Sequence, residues 1–379
     1  MKDLSECRIL IVDDVADNVE ILVNTLRGEH KLSVARDGES ALRLVETNPP
    51  DLVLLDIMMP GMDGYEVCRR LRASEANREM PIVFLSALDE VTHKTRGFEL
   101  GANDYLTKPF EPLEVKARVR SLLRAKAYGD AVREAAEREM GIAREIQHGL
   151  LPADVSAAAA GSGLEIHAVM EPARQIGGDF FEVLRAGEGR LVVAIADVMG
   201  KGVPAALFMA MSMTLLRSLA KQHAEPPEIL RRLNDELVAY NPRRLFVTMS
   251  CLQFEGATGV VSGASAGHCP LVLIPRNGEP RLVLRSSGPV LGILPQRTYG
   301  GERLELAAGD QLVLYSDGVT EAERGDDEQF GDERLLRFLA SCQGAAPAGT
   351  VDALLAEVRR FANGAPQNDD ITILAIRRS

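Results

Sequence analysis

Short apolar runs separated by amphipathic segments fill the first third of the chain. The apolar runs are rich in Val, Ile and Leu and predict buried strands at residues 8–12, 31–35, 52–55, 82–85 and 104–106. The segments between them repeat apolar residues at helical spacing, at residues 18–27, 38–47, 64–72 and 92–100. This alternation predicts a doubly wound α/β domain with a parallel sheet, over residues 7–124.

A long helix is predicted next, because residues 111–150 contain no proline after Pro112. Positions spaced alternately by three and four residues form a coiled-coil seam. They are Leu122, Ala125, Gly129, Val132, Ala136, Glu139, Ala143, Ile146 and Leu150. Residues 111–152 are therefore predicted to be a linker helix and candidate coiled coil that joins two copies into a homodimer. The alternative is a linker helix that packs on its own domains.

Residues 164–377 change to runs of strands interrupted by a few long helices. Strands are predicted at 164–170, 191–196, 246–254, 271–274, 311–315 and 371–376, and helices at 204–222, 227–239, 332–340 and 350–362. This order predicts an α+β domain whose sheets are covered by helices. The run AAAAGSG at 157–163, just before this domain, predicts a mobile joint.

Composition narrows the classes of function. The 379 residues carry a net charge of -12, which argues against nucleic acid or an anionic membrane as the main partner. No run approaches about 20 consecutive apolar residues, so we expect no membrane span. The N-terminus lacks the apolar core of a signal peptide, and the five cysteines are scattered. These features predict a cytoplasmic protein.

Aspartates stand at the ends of several apolar runs. In the first domain, Asp13 and Asp14 follow the first strand and Asp56 follows the third, while Ser86 and Lys108 follow the fourth and fifth. The carboxyl ends of parallel strands meet at one edge of the sheet. Acids, a hydroxyl and a lysine gathered there form a site for a hard metal ion and a phosphoryl group.

This first segment resembles the receiver domain of two-component response regulators, which has a flavodoxin-like fold. The resemblance rests on VDD at 12–14, LDIMMPGMDG at 55–64, LSA at 85–87 and GANDYLTKP at 101–109. It implies that Asp56 accepts a phosphoryl group from a histidine kinase or phosphotransfer protein. It also implies that Asp14, Asp56 and the Met58 carbonyl hold Mg²⁺, with Asp13 assisting through water. Ser86, Tyr105 and Lys108 would contact the phosphoryl group or report its presence.

A second group of acids lies in the second domain. Its members are Asp179 in IGGDFF, Asp197 in DVMGKG, Asp317 in SDGVTE, and the pair Asp369 and Asp370 before the last strand. A ligand set of acids without His or Cys suits Mg²⁺ or Mn²⁺ better than Zn²⁺. Two such ions could clamp a phosphoryl group and activate water.

This second segment resembles the PPM-type, SpoIIE-like serine/threonine phosphatases, whose fold is a β-sandwich with flanking helices. The motifs AREIQ at 143–147, LLP at 150–152, GVPAAL at 202–207, SAGH at 265–268 and GPVLG at 288–292 also match. The resemblance implies that Asp197, the Val198 carbonyl, Asp317 and Asp369 bind metal. Asp179 would bind a second ion, directly or through water.

Three further residues are weaker candidates. Asp370 stands where related phosphatases have Asn, so Asp369 is the better ligand of the pair. Eukaryotic relatives have Glu where this chain has Gly178, which weakens the second metal site. His268 could serve as a general acid, but a structural hydrogen-bonding role is favoured. Lys201 and Arg174 are candidates for binding substrate phosphate, or are surface charges.

The combined interpretation is a response regulator whose Asp56 phosphorylation controls a Mg²⁺- or Mn²⁺-dependent protein phosphatase. The resemblance implies a phosphorylated anti-sigma-factor antagonist as substrate. The alternative is a catalytically weak adaptor that binds a sigma or anti-sigma regulator, as in relatives that have lost metal ligands. The run GGDFF at 177–181 also resembles the diguanylate cyclase signature, but Phe180 stands where the cyclase needs an acid.

Overall fold

The computed structural model describes residues 4–87, 99–187, 189–222, 225–255, 258–325 and 328–379. Its contacts divide the chain into two compact units, Met1–Arg138 and Glu139–Ser379. Most of the segment predicted as a helix at 92–100 lies outside the described residues.

The first unit contains a five-stranded sheet of β1 (Arg8–Val12), β2 (Lys31–Ala35), β3 (Leu52–Asp56), β4 (Ile82–Ala87) and β5 (Asp104–Lys108). The strand order is β2-β1-β3-β4-β5, and every pairing is parallel. Helices are α1 (Ala16–Leu26), α2 (Gly38–Thr47) and α3 (Gly64–Ala73). Short 3₁₀ turns span Leu4–Glu6 and Glu75–Asn77. The predicted doubly wound, flavodoxin-like fold is confirmed.

Both faces of this sheet are buried, which explains why its strands have continuous apolar sequences. Alternate residues of one strand enter different cores: Leu10 and Val12 pack with α2 and α3, while Ile9 and Ile11 pack with α1. The side chains of Asp37 and Asp63 accept hydrogen bonds from backbone amides and so begin α2 and α3.

The long helix is α4 (Pro112–Leu150), as the sequence predicted. Its first turns bury Val115, Val119 and Leu123 in the core of the first unit. Farther along, Val132 and Ile146 of the predicted seam are exposed. The coiled coil therefore stays a prediction.

The second unit begins with a short helix, α5 (Val155–Ala159), which is followed by turns up to residue 163. Residues 157–159 of the predicted mobile joint thus lie in a helix, and the mobility of 157–163 stays a prediction. Ala159 is buried, and Arg185 donates hydrogen bonds to the carbonyls of Ala158 and Ala160. Alanines have high helix propensity and small side chains, which allow α5 to pack closely on the sheet.

Two antiparallel five-stranded sheets make up the rest of the strands. The first has the order β13-β10-β9-β8-β7, with β7 (Phe180–Arg185), β8 (Arg190–Val198), β9 (Val247–Glu255), β10 (Val260–Ala266) and β13 (Glu302–Glu305). The second has the order β12-β11-β14-β15-β6, with β6 (Leu164–Glu171), β11 (Leu271–Ile274), β12 (Arg281–Val283), β14 (Gln311–Tyr315) and β15 (Ile371–Arg378). Apolar side chains from both sheets share one core, so the sheets form a sandwich.

Helices cover the outer faces of the sandwich, as predicted. α6 (Val203–Gln222) and α7 (Pro226–Ala239) pack on the first sheet. α9 (Gly331–Ala340) and α10 (Pro347–Ala362) pack on the second, next to the single-turn α8 (Asp317–Thr320). Strands β7, β10, β12 and β13 were not predicted, because they are short or carry Gly, Ser and charged residues that lower the strand signal.

One helix among the described residues, α6, is long and apolar enough to cross a membrane by length and composition. The sequence interpretation expected no such segment. Phe208, Met209, Met213 and Leu216 of this helix are buried in the core with strands of the first sheet. These contacts are those of a helix that covers a sheet.

Candidate functional sites

The first cluster of acids lies at the carboxyl edge of the parallel sheet. Asp13 and Asp14 follow β1, and Asp56 is the last residue of β3. One carboxylate oxygen from each of the three lies within 4.8 Å of the others. Within the part of the chain that the structure describes, no other group of three or more acidic, His or Cys side chains is so close. The fold thus brings together the three residues that the sequence assigned to one site.

Lys108, at the end of β5, supplies a cation to this cluster. Its Nζ lies 2.8 Å from Asp13 Oδ2 and 2.8 Å from Asp56 Oδ2. Burial raises the pKa of Asp56, the hydrogen bond from Lys108 lowers it, and the charge of Asp13 raises it. The lysine therefore offsets part of the cost of burying two carboxylates side by side.

Asp14 has fewer hydrogen-bond partners than Asp13. Asp13 also accepts hydrogen bonds from the Val15 amide, at 2.9 Å, and from the Asn18 side chain. In contrast, Oδ1 of Asp14 is buried and has no hydrogen-bond partner among the described residues. A buried carboxylate oxygen without a partner is costly, so Asp14 is available to a cation.

The remaining receiver candidates surround this cluster. Ser86 pairs with Thr107 across β4 and β5, one residue before Lys108. Tyr105 is buried, and its ring centroid lies 5.6 Å from that of Phe84. Met58, whose side chain is exposed, donates its backbone N–H to Asp56.

The second cluster of acids lies where strands of both sheets of the sandwich end. Asp179 immediately precedes β7, Asp317 begins α8, and Asp369 and Asp370 precede β15. Asp197 was expected just after its strand but lies within β8, paired with Thr248 of β9. The tertiary structure thus brings together acids that are as far as 191 positions apart in the sequence, counting from Asp179 to Asp370.

The Asp370 side chain is hydrogen-bonded to backbone amides. Its carboxylate accepts hydrogen bonds from the amides of Ala173, at 2.8 Å, Gly178, at 2.7 Å, and Asp179, at 3.3 Å. Because both oxygens are used in this way, Asp370 fixes the segment that carries Asp179. Asp369 is half-buried and is free of these amides, which agrees with its ranking as the better ligand.

Asp179 is the most deeply buried acid of the cluster. The hydroxyl of Thr372 donates to its Oδ2 at 2.6 Å. Burial raises the pKa of Asp179 well above its usual value, and the charges of Asp197 and Asp370 raise it further. Burial and the neighbouring charges therefore disfavour the charged form of Asp179 while no cation is near.

Asp197 and Asp317 also have raised pKa values. Burial, followed by the charges of Asp317 and Asp369, raises the pKa of Asp197 to about 7. Burial and the charges of Glu321 and Asp369 raise the pKa of Asp317. These carboxyls lie close enough to repel one another, which is the electrostatic setting that a divalent cation relieves.

Lys201 is the cation that the chain itself brings to this cluster. Its Nζ lies 3.2 Å from Asp369 Oδ2 and donates to the Asn368 carbonyl. Both side chains are more than a third exposed, so this contact is weaker than the buried contacts of Lys108. Arg174, the other candidate for binding phosphate, is exposed.

Two glycines are required by close packing at this site. A Cβ on Gly178 would lie 2.5 Å from the Val198 carbonyl oxygen, and a Cβ on Gly318 would lie 2.0 Å from the Asp370 carbonyl oxygen. A glutamate in place of Gly178 would therefore displace the Val198 carbonyl. The close approach of the Val198 carbonyl thus explains why glycine rather than glutamate occupies position 178, apart from any effect on metal binding.

His268 has a buried and specific place beside this cluster. Its Nδ1 is 2.8 Å from the Thr248 hydroxyl. Burial lowers the pKa of His268 to about 4, while the backbone carbonyl of Tyr315 acts in the opposite direction. A neutral ring held between two strands matches the structural role that the sequence interpretation favoured.

A cavity of about 380 Å³ opens beside Asp369 and Lys201. Gly318 and Glu321 line one side, and Val358 and Ala362 of α10 line another. The cavity is large enough for an amino-acid side chain.

Both clusters have the donors of a hard-metal site. Each consists of carboxylates, which Mg²⁺ and Mn²⁺ prefer. Such an ion would coordinate the Asp14 oxygen that lacks a hydrogen-bond partner in the first cluster. In the second cluster it would stabilise the charged form of Asp197, whose pKa is raised without it.

The sequence interpretation missed several supporting side chains. Thr372 and Ser316 bind Asp179 and the Asp370 carbonyl, and both lie inside motifs that were read only for their acids. Gln147 of α4 donates to the Gly177 carbonyl at 2.7 Å and accepts from its amide at 3.2 Å. Its place in the AREIQ motif could have pointed to a fixed contact.

Sequence comparisons identify two domain families in the chain. The profile of the Stage II sporulation protein E (SpoIIE) family matches residues 187–379, which is just over half of the chain. The chain is a member of the SpoIIE family. The profile of the response regulator receiver domain matches residues 9–120. An N-terminal receiver domain and a C-terminal SpoIIE-type, PPM phosphatase domain are thereby confirmed.

Individual relatives match parts of this SpoIIE-family chain. Response regulator PleD of Caulobacter vibrioides is 46% identical over 138 residues, which cover 36% of this chain and 30% of PleD. This chain spans less than half the length of each of the first curated relatives that it matches.

Two solved structures share the phosphatase fold at low identity. The SiaA-PP2C domain of Pseudomonas aeruginosa has a TM-score of 0.58 at 20% identity, covering 66% of this chain and 99% of that one. The PP2C phosphatase domain of SpoIIE from Bacillus subtilis, with a fragment of its regulatory domain, has a TM-score of 0.51 at 20% identity. It covers 56% of this chain and 63% of that one.

Proposed function

We propose that this protein is a response regulator whose Asp56 is phosphorylated and whose C-terminal domain is a Mg²⁺- or Mn²⁺-dependent protein serine/threonine phosphatase. The observation that carries the proposal is the convergence of Asp179, Asp197, Asp317 and Asp369 in a SpoIIE-type domain. Their burial and mutual repulsion raise the pKa of Asp197 to about 7. Acids held in this way serve a cation rather than the stability of the apoprotein.

In the receiver, Asp13, Asp14, Asp56 and the Met58 carbonyl would hold Mg²⁺. By the receiver resemblance, Asp56 would be the nucleophile, and its Oδ2 lies 2.8 Å from Lys108 Nζ. Lys108, which contacts both Asp13 and Asp56, would bind a phosphoryl oxygen on Asp56. Ser86 of β4 and Tyr105 of β5 would respond to the new charge.

In the phosphatase domain, Asp197, the Val198 carbonyl, Asp317 and Asp369 would hold metal, with Asp179 at a second ion. Bound there, Mg²⁺ or Mn²⁺ would supply charge neutralisation and activation of water for attack on phosphorus. The protein's own part is to orient these donors. Thr372 holds Asp179, the amides around Gly178 hold Asp370, and Lys201 holds Asp369.

The linker helix α4 offers a route for control. Its Gln147 is buried and binds both polar groups of Gly177, next to the segment that carries Asp179. Its last residue, Leu150, accepts a hydrogen bond at 2.5 Å from Arg217 of α6, the helix that follows the Asp197 motif. A shift of the end of α4 would therefore move two of the segments that position the acids. The exposed seam residues Val132 and Ile146 would join two copies.

By family resemblance, the substrate would be a phosphorylated anti-sigma-factor antagonist and the phosphodonor a histidine kinase or phosphotransfer protein. The second candidate function is an adaptor that binds a sigma or anti-sigma regulator without turnover. Two observations favour this candidate. His268 is neutral because burial lowers its pKa to about 4, and the ion pair of Lys201 with Asp369 is partly exposed to solvent.

The deciding experiment measures hydrolysis of p-nitrophenyl phosphate and of a phosphoserine peptide with Mn²⁺, with and without beryllofluoride as a mimic of phosphorylated Asp56. We expect turnover that Asp317→Asn abolishes and that beryllofluoride changes. We also expect Gln147→Leu to reduce the beryllofluoride effect. Turnover equal to that of Asp317→Asn favours the adaptor, and equal rates with and without beryllofluoride reject control by Asp56.

A further inference from the structure

An apolar groove of about 480 Å³ lies on the phosphatase unit, apart from the acid cluster. Its walls come from one face of α6 and from the loop after α7. We call it the docking groove and define it by Val203, Leu207, Met211, Tyr240, Pro242 and Leu245. Leu207 and Tyr240 are 68% and 69% exposed, although large apolar side chains at such positions usually gain from being covered.

Exposed apolar side chains are concentrated around this groove. Among the described residues after α4, the exposed large apolar side chains are Met199, Val203, Leu207, Tyr240, Ile293 and Leu294. Three of them belong to the groove. Ile293 and Leu294 directly follow Gly292, whose carbonyl accepts a hydrogen bond from Asn241 of the groove at 2.8 Å. A concentration of this kind marks an interaction surface rather than chance exposure.

The wall of the groove is held in shape. Asn241 donates to the carbonyls of Leu245, at 2.6 Å, and Gly292, and accepts from the Leu245 amide at 2.9 Å. Asn234 of α7 accepts from the Gly292 amide and donates to the Leu294 carbonyl. A groove that already has its binding shape costs little conformational entropy when a partner docks.

The groove is continuous with the segment that follows Asp197. Met199 lies two residues after that acid, and its amide donates to the Phe246 carbonyl at 2.9 Å. This hydrogen bond ties the segment after Asp197 to the loop that forms the groove wall. A protein that presents a phosphorylated residue to the acids can therefore reach the groove with a neighbouring segment.

Charge indicates what the partner carries. Arg243 lines the groove and Arg244 follows it, and both are exposed. No carboxylate among the described residues lies within 4.0 Å of either guanidinium. These two exposed arginines beside an apolar groove complement an apolar segment flanked by Asp or Glu.

We propose that this groove docks the phosphoprotein substrate through an apolar segment bearing acidic residues, next to the phosphorylated residue. The inference rests on the proposed phosphatase function and adds a determinant of substrate choice outside the acid cluster. Tyr and Arg, which the groove offers, are the residues that most often dominate binding energy at interfaces.

The test uses the full-length protein and two synthetic phosphoserine peptides. One carries a Leu-, Ile- and Glu-containing segment beside the phosphoserine, and the other has Ser and Gly in those positions. Binding is measured by fluorescence anisotropy, and kcat/KM is measured with Mn²⁺. We expect the wild type to favour the first peptide by about tenfold in both measurements. Leu207→Ser and Tyr240→Ser should reduce this preference to about twofold, mainly through KM.

Arg243→Glu should remove only the part of the preference that the glutamates supply. The matched controls are Leu113→Ser, an equally exposed leucine of the receiver, and Arg285→Glu, an exposed arginine outside the groove. All these variants should hydrolyse p-nitrophenyl phosphate at the wild-type rate, because that substrate is too small to reach the groove.

Three outcomes would overturn docking of substrate. They are equal binding of the two peptides, an unchanged preference in the groove variants, or a lower sedimentation mass of Leu207→Ser, which would assign the groove to a second copy of the chain. A wild type without p-nitrophenyl phosphate turnover would reject the phosphatase function instead. The anisotropy measurements would then still decide whether the groove binds the peptide.

Discussion

The two acid clusters of this chain solve the same electrostatic problem in different ways. In the receiver, Lys108 lies 2.8 Å from both Asp13 and Asp56 and is largely buried with them. In the phosphatase domain, Lys201 forms an ion pair with one described acid of the cluster, Asp369, at 3.2 Å and near solvent. The first cluster is thus assembled around its own cation, whereas burial and repulsion in the second leave Asp197 with a pKa of about 7. The second cluster depends more strongly on an ion from outside.

The largest expected effect comes from removing an acid of the second cluster. Asp197→Ala and Asp317→Asn should each lower phosphatase kcat/KM by on the order of 10²–10⁴-fold, because a lost metal ligand removes several kcal/mol of transition-state stabilisation. Phosphorylation of Asp56 by a small-molecule phosphodonor should stay unchanged. The control is Asp352→Asn, an exposed acid of the same unit. Loss of both activities together would mean that the clusters are not independent.

His268 adds a second test of burial in the phosphatase domain, because it lies beside the acids of the second cluster and is neutral. Its pKa is about 4 in the folded protein and about 6.5 in the unfolded chain, so the unfolded state binds more protons between these values. Stability should therefore be full above pH 6.5 and fall by up to about 3 kcal/mol as the pH drops through 4. Urea unfolding of wild type and His268→Gln over this range measures the difference. Parallel curves would contradict a buried neutral ring.

The two lysines can be compared directly. Lys108→Met should destabilise the receiver by about 1–3 kcal/mol at pH 8, because it leaves two buried carboxylates without their cation. Lys201→Met should change the stability of the phosphatase unit by less than about 1 kcal/mol, because its ion pair is exposed. Thermal unfolding without and with Mg²⁺ checks both values, and Mg²⁺ should restore part of the loss in Lys108→Met. Equal losses for the two variants would remove the distinction between the clusters.

The smallest expected effect concerns protons and metal in the second cluster. Since the pKa of Asp197 is about 7 without metal, protons compete with Mn²⁺ for this ligand below that pH. Mn²⁺ affinity, measured by isothermal titration calorimetry, should weaken by about tenfold between pH 8 and pH 6. Proton release on binding should decrease as the pH rises. An affinity that does not change with pH would place the pKa of Asp197 well below 6.

Much of the receiver could be read from its sequence, because its strands are buried on both faces. Runs such as Leu52 to Leu55 are apolar throughout, and each ends where parallel topology places the functional residues. The strands of the sandwich were harder to predict from the sequence. Strand β10 carries Ser262, Gly263 and Ala264, and β13 is a polar edge strand, so neither has a clear strand pattern. The short helix α5 was not predicted either; Arg185 donates a hydrogen bond to the Ala158 carbonyl within it, a contact that the local sequence does not reveal.

The sequence by itself determined the two domain types and the acids of both clusters. Local patterns suffice for this, because a carboxylate after a buried strand has few reasons to be there other than chemistry. Only the tertiary structure decided how each acid is used. In the folded chain, backbone amides donate hydrogen bonds to the Asp370 carboxylate. Lys108 lies between Asp13 and Asp56, whereas Lys201 contacts one acid of its cluster, Asp369. The tertiary structure also brought Gln147 to Gly177 and left the docking groove exposed, with its wall hydrogen-bonded to the segment after Asp197. These outcomes depend on distances between residues far apart in the chain, which no local pattern encodes.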